Sequence, residues 1–414
     1  MSTRKEKIPT VRFRAFSEPW FQNQLSEVAE FSKGRGYSKK DIQPQGTPII
    51  LYGRLYTKYE YVISNIDTYA NMEKNSVISE GGEVIIPASG ESAAEISRAS
   101  CVTDGGVILG GDINIVKPHE SLDSSFIAIT LSNGSQQREL SKRAQGKSVV
   151  HLHNSDLKAV KLFYPSYEEQ FAIGSLFRNI DDLLASYKDN LINYQSLKVT
   201  MLSKMFPKAG QTVPEIRLDG FEGEWKVQSL KELARFSKGN GYTKSDLVNS
   251  GNEIILYGQL YTNYQTVISM VNTFVLETRE KSVISKGGEV VVPASGESAE
   301  DISRASVIEK SGVIIGGDLN IIYPDENKVD SIFLALTISN GSQQKELIKR
   351  AQGKSVVHLR NNDLEKVVLH YPSIEEQQAI GAYFSNLDNL INSHQEKISQ
   401  LETLKKKLLQ DMFI

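Results

Sequence analysis

Short apolar runs of β character mark the first part of the chain. "PIILYGRLYT" (48–57), "GEVIIPAS" (82–89) and "GGVILGGDINIV" (105–116) are separated by Gly, Asn, Ser and Pro turns, which predicts strands across roughly 20–165. Two shorter helical stretches follow, near "SSFIAITLSN" and "GSQQRELSKRAQ". After "YPS" the pattern turns helical, with no glycine past Gly174. Ser166 and Glu169 are spaced as a capping box, and the helix should run to Phe206, where Pro207 stops it.

That helix carries a seven-residue seam. Ile173, Ile180, Tyr187, Tyr194 and Met201 form one row, with Leu176, Leu183 and Leu197 three positions on and Phe177, Leu184, Leu191 and Met205 four on. Near the end of the chain, Ile380, Leu387, His394, Leu401 and Leu408 make a matching row, flanked by Tyr383, Leu390, Leu404, Phe384, Ile391, Ile398 and Met412. So wide an apolar face asks for a partner helix, and each helix is the natural partner of the other. Packing on the helix's own domain is the alternative, but about 30 residues, or about 45 Å, would overhang such a domain. His394 then reads as a spacer in the seam that fixes register.

The two helices belong to a larger repeat. "FSKGRGY" at 31 recurs as "FSKGNGY" at 236, "PASGES" at 87 recurs at 293, and "RAQGKSVVHL" at 143 recurs at 350. The offsets are 205, 206 and 207, so only two single-residue insertions separate the halves. The expected fold is α+β: two repeated, mixed, β-rich domains at 11–165 and 208–372, each followed by a long helix, at 166–207 and 373–414.

Composition narrows the class. A chain of 414 residues suits two domains, and a net charge of -3 gives no overall basic coat, although a local basic surface is compatible with it. One cysteine, Cys101, rules out an internal disulfide framework and a cysteine zinc site, and the second repeat has Val307 at that place. "MSTRKEKIPTVRFRAF" has no signal-peptide core, and no run approaches about 20 apolar residues, so a cytoplasmic protein with no membrane contact is expected.

Catalytic readings fail on context. Gly-Lys-Ser in "RAQGKSVVHL" lacks the earlier P-loop glycine, with Ser141 and Ile348 in its place, and follows a helix instead of opening one. Gly146 and Gly353 read better as left-handed residues at a helix C-terminus. "PASGES" is no nucleophile elbow, and the metal-like pair His151 and His153 becomes His358 and Arg360 in the second copy. No catalytic residue and no metal site is assigned.

Recurring basic and polar positions point to phosphate. Arg138, Lys142, Arg143 and Lys147 share one side of a helix and its exit, matched by Lys345, Lys349, Arg350 and Lys354. Glu139 and Glu346 interrupt the stripe and can pair with it. The Gly-rich loop adds Lys33, Arg35, Tyr37 and Lys39 (with Lys40 beside them), against Lys238, Asn240, Tyr242 and Lys244, and Arg54 stands opposite Gln259. Arg suits guanine and Asn or Gln suits adenine, so these exchanges are either specificity differences or surface drift. Ser89, Gly90, Glu91 and "GGDIN" recur as well, as tight turns or base-reading loops.

The ordered motifs resemble the DNA specificity subunits of type I restriction-modification systems. They are "R-[FL]-x-[AG]-F-x-x-x-W" (Arg12 to Trp20, Arg217 to Trp225), "NGSQQ…L…RAQGKSVVHL" and "YPS-x-EEQ-x-AIG" before a long helix, and they recur over essentially the whole chain. The resemblance implies two target-recognition domains and helices paired as an antiparallel coiled coil. Each domain would read one half of a bipartite site in double-stranded DNA. Two modification subunits, binding S-adenosylmethionine, and restriction subunits, using ATP and Mg, would join the complex, with no cofactor on this chain. With domains this alike, a near-palindromic target is expected, its half-site centres a little over one duplex turn apart. The alternative is a non-catalytic two-domain adaptor for a protein or glycan.

Overall fold

The computed structural model describes residues 8–146, 149–262, 264–353 and 356–413. Two compact units emerge: Met1–Lys188 with Glu396–Ile414, and Asp189–Gln395. The division falls inside the long helices, so each unit contains chain from both repeats.

In the first unit the central sheet uses β1 (Ala29–Lys33), β2 (Val62–Ile63), β3 (Glu83–Pro87), β4 (Ser100–Val102) and β5 (Ile113–Pro118) in the order β1-β5-β3-β4-β2. Only the β4–β2 pair is parallel. Strand β3 explains its unbroken apolar sequence: Val84 and Ile86 face one hydrophobic cluster, while Ile85 faces another with Ile113 and Ile115. On the first face lies α1 (Ser124–Leu131), capped by Asp123, whose carboxylate accepts from Phe126 N at 2.8 Å. Helix α2 (Gly134–Arg143) follows directly. Part of "LYGRLYT" departs from the strand expectation, since the chain leaves its strand at Ile50 and Arg54–Thr57 is one helical turn.

The second unit repeats this arrangement with α4 (Ser331–Ile338) and α5 (Gly341–Arg350). Its strands are β6 (Ala234–Lys238), β7 (Val267–Ile268), β8 (Glu289–Pro293), β9 (Ser306–Ile308) and β10 (Leu319–Pro324), ordered β6-β10-β8-β9-β7.

Both long helices, α3 (Tyr167–Lys204) and α6 (Ile374–Asp411), have 38 residues. Glu169 is buried, and its carboxylate reaches across the chain to the opening motif. It accepts two hydrogen bonds at 2.7 Å from the guanidinium of Arg12, and Glu376 does the same for Arg217 at 2.7 and 2.6 Å. Gln170 beside it accepts from Asp123 N and donates to the carbonyls of Ser121 and Pro165, a pattern Gln377 repeats with Asp330, Lys328 and Pro372. The opening Arg motif and "EEQ" are thus two halves of one clamp. Trp20 and Trp225, which end the opening motif, pack edge-on against Phe126 and Phe333.

Within the first unit α3 meets the far end of α6 antiparallel, with Lys405 paired to Asp181 and Lys188 to Glu402 at 2.7 Å. Within the second, Lys198 pairs with Asp388 and the Tyr194 and His394 rings meet edge-on at 5.2 Å. His394 Nδ1 lies 2.8 Å from the Leu390 carbonyl oxygen. Ile173 and Ile380 serve their own domain cores, so the packing first assigned to the helix pair alone is shared. Leu183 and Leu404 in the first unit, and Leu197 and Leu390 in the second, remain 40–48% exposed, so the helix pair does not cover them fully.

The helix ends close both cores. Phe413 sits 5.9 Å from the rings of Phe126 and Phe177, and Phe206 lies 5.8 Å from Phe333 and 6.2 Å from Phe384. Each repeat therefore contributes a phenylalanine to the core of the other. Among the described residues no helix is long and apolar enough to cross a membrane.

Three outcomes follow from this packing. Phe413→Ala should destabilise the first unit, and Phe206→Ala the second, by about 3 kcal/mol each, read as a shifted thermal transition for that unit. Arg12→Ala strands the carboxylate of Glu169 and should cost about 3–5 kcal/mol in a denaturant titration. The double replacement Arg12→Leu with Glu169→Leu should recover most of that. Burial pushes the Cys101 thiol up to about 12, so native protein at pH 8 should resist iodoacetamide and react only after unfolding, scored by mass spectrometry.

Candidate nucleic-acid interface

The motifs that the repeat preserves converge on one rim. Gly34 N donates to the Ile113 carbonyl, Arg35 N to Leu109 and Gly111 N to Gly36, which joins "FSKGRGY" to "GGDIN". Ala88 N donates to Asp112 O, and Leu152 N to Ala88 O, bringing in "PASGES" and "VVHL". Ser89 and Gly90 pair with His151 and Val150 as a two-residue ladder. Asn154 Nδ2 donates to Ser32 O, Asn114 Nδ2 to Leu152 O, and the hydroxyl of Tyr56 to Ser89 O at 2.6 Å. Burial pushes the Tyr56 phenol above its ordinary value, so it stays a donor.

The second unit repeats nearly every link. Gly239, Asn240 and Gly317 bond as their counterparts do, Ala294 N donates to Asp318 O, and Asn361 Nδ2 donates to Ser237 O. Close backbone approach is built into this rim. A Cβ on Gly34 would stand 2.0 Å from the Gly110 carbonyl oxygen, and one on Gly239 would stand 1.9 Å from that of Gly316.

The basic candidates sort into presented and engaged side chains. Lys33, Arg35, Lys39, Lys238 and Lys244 are exposed on the rim, and Arg138, Lys142, Lys345 and Lys349 on the helices that lead to it. Arg143 and Arg350 are half-buried and bound to Glu139 and Glu346, the pairing that the interrupted stripe allowed. Arg54 turns inward. Its side chain is 8% exposed and reaches Glu60, Asp67 and the Asn65 carbonyl. Gln259 likewise uses both ends of its amide, on Leu256 N and Thr273 Oγ1. Neither is available to a ligand.

Tyr37 and Tyr242 are also anchors. Both adopt positive φ, 55° and 59°, and their hydroxyls contact Ser76 Oγ and Ser282 Oγ. Lys147 and Lys354 lie outside the described residues. Gly146 and Gly353 are not helix caps. The helices end at Arg143 and Arg350, and Gly146 and Gly353, with φ of 136° and 142°, each follow a glutamine that bridges to a histidine, Gln145 to His151 and Gln352 to His358.

Sequence reasoning missed the loop facing the glycine-rich segment. Glu73 N donates to the Tyr37 hydroxyl, and Arg279 N to that of Tyr242. The Arg279 guanidinium lies 4.3 Å from the Tyr242 ring centre and pairs with Asp246 at 2.5 Å. The overlooked signal is the first insertion, which falls in this loop.

A rim of backbone-rich turns carrying exposed Lys and Arg can hold phosphate oxygens and present side chains to base edges. The family described as type I restriction modification DNA specificity domain matches residues 17–194 and again 222–403. The type I restriction enzyme MjaVIII specificity subunit of Methanocaldococcus jannaschii is 20% identical over 367 residues, covering 86% of this chain and 84% of that one. A putative type I specificity subunit of Mycoplasma genitalium is 22% identical over 403 residues, covering 95% and 94%. The crystal structure of a type I restriction-modification S subunit from M. genitalium shares the fold, with a TM-score of 0.62 at 15% identity over 99% of both chains. Two family matches spanning most of the sequence place this chain among the DNA specificity subunits of type I restriction-modification systems, the non-catalytic members that recognise DNA.

Proposed function

We propose that each unit reads one half of a bipartite, near-palindromic DNA target through its rim, in the cytoplasm. The observation that carries this reading is the duplicated rim itself: the same loops, hydrogen bonds and exposed lysines occur in both units. Lys33, Lys39, Arg138 and Lys142, with Lys238, Lys244, Lys345 and Lys349, hold phosphates, while Arg35 and Asn240 stand closer to the bases. Lys147 and Lys354 complete the same basic set.

Two modification subunits carrying S-adenosylmethionine then dock along the helices, one on the exposed leucines of each unit, Leu183 with Leu404 and Leu197 with Leu390, which are 40–48% exposed. Restriction subunits that use ATP and Mg join them. This chain contributes position, and its partners contribute chemistry.

Co-expression with its genomic neighbours followed by mapping of modified adenines tests the reading directly. An interrupted motif with two nearly identical, inverted halves is expected, and unrelated halves would reject it. Lys33→Ala with Lys142→Ala should weaken binding to all sequences alike and flatten the salt dependence by about one unit of slope per lost phosphate contact. Leu197→Lys with Leu390→Lys should release the modification subunit in co-purification while the thermal transitions of this chain stay in place.

A further inference from the structure

The rims are alike in scaffold and differ at exposed positions that include Lys40 against Ser245, His153 against Arg360 and, most extensively, two facing tips. In the first unit the glycine-rich loop presents Arg35, and the facing loop presents Glu73, Lys74 and Asn75. In the second the glycine-rich loop presents Asn240, and the facing loop presents Arg279, Glu280 and Lys281. The glycine-rich loop loses its Arg, and the facing loop goes from one positive residue, Lys74, to two, Arg279 and Lys281, as Glu-Lys-Asn becomes Arg-Glu-Lys. All of these side chains are exposed.

The equivalence of the facing loops does not depend on alignment. Tyr37 donates to the Asn71 carbonyl and accepts from Glu73 N, while Tyr242 donates to the Glu277 carbonyl and accepts from Arg279 N. One strand earlier, Ile42 pairs with Ala70 and Leu247 with Val275. The spacing between repeats is therefore 205 at Ala70 and 206 at Asn71. One added residue, Leu276, stands at this point and is 71% exposed.

In the second unit the two tips touch. Asn240 Nδ2 donates to the Lys281 carbonyl at 2.8 Å, and Arg279 Nη1 lies 3.6 Å from where a Cβ on Gly241 would stand. Here the anchoring tyrosine, its positive φ, its serine partner and the capping aspartate (Asp41 or Asp246) are all retained, while length and charge order change between them.

We propose that these paired tips, Arg35 with 71–75 and Asn240 with 276–281, set the bases at which the two half-sites differ. The inference rests on the rim reading above and adds which residues discriminate. A guanidinium on the first loop favours guanine O6 and N7. In the second unit Asn240 has one amide hydrogen bond already committed, and Arg279, held by Asp246 and the Tyr242 ring, still leaves about half of its side chain (53%) exposed on the adjacent loop. The target is then an inverted repeat with a confined mismatch between its halves.

The test uses the assembled methyltransferase complex. In one variant the first unit receives the tips of the second, by Arg35→Asn and exchange of 71–75 for the sequence of 276–281. The reciprocal variant transplants the first tips into the second unit. Wild-type adenine mapping should give two halves differing at one or two base pairs. The first variant should convert its half to the other's sequence, with methylation of the original motif falling about tenfold or more, and the reciprocal variant should do the opposite. Unchanged motifs in variants that assemble and melt as wild type would overturn the proposal. So would identical wild-type halves, or loss of all methylation in assembled variants, since each tip set already works in its own unit. A wild-type map without any interrupted motif sinks the rim reading along with it.

Discussion

Each core in this protein is completed by the end of a helix that begins on the other repeat. Phe413 fills a slot between Phe126 and Phe177, and Phe206 fills the matching one beside Phe333 and Phe384. Without those rings the buried helices α1 and α4 would face water along one side. The antiparallel course of α3 and α6 within each unit follows, because only that direction delivers both ends. The ion pairs Lys405–Asp181 and Lys198–Asp388 mark the same register twice. The Arg12–Glu169 and Arg217–Glu376 clamps then fix where each helix leaves its domain.

On that frame the rim of each unit combines two kinds of position. Positions that make backbone approach possible, Gly34, Gly111 and the tyrosine at positive φ, are the same in both units. Among the positions that project from it, Lys33 and Lys39 recur as Lys238 and Lys244, while Arg35 and the residues of the facing loop differ. A reader of DNA needs both properties, since phosphate contacts must be held in register before a side chain can choose between base edges.

Much of this was legible in the sequence for physical reasons. Duplication displays which positions are tied to backbone geometry, and the seven-residue spacing of Ile173, Ile180 and Tyr187 displays the helix. What remained hidden depended on contacts between distant segments. Arg54 looked like a surface cation because its acidic partners, Glu60 and Asp67, become neighbours only when the loop folds back. Glu169 looked like a local cap because Arg12 is far off in the chain. Tyr37 looked like a DNA contact because nothing local reveals the serine that claims its hydroxyl. The Leu183 and Leu404 row looked like seam because spacing alone does not say how wide a face one partner covers.

The exchange of helix ends also has a consequence in time. A ribosome releases the first repeat, Phe126 and Phe177 included, long before it has made Phe413. At about 5–20 residues per second the intervening 207 positions, from Phe206 to Phe413, take roughly 10–40 s. For that interval the nascent first unit has an unfilled apolar slot, and the segment nearest in sequence that fits it is its own Met205-Phe206. Folding in the order of synthesis therefore has to leave that slot open until the later phenylalanine is made.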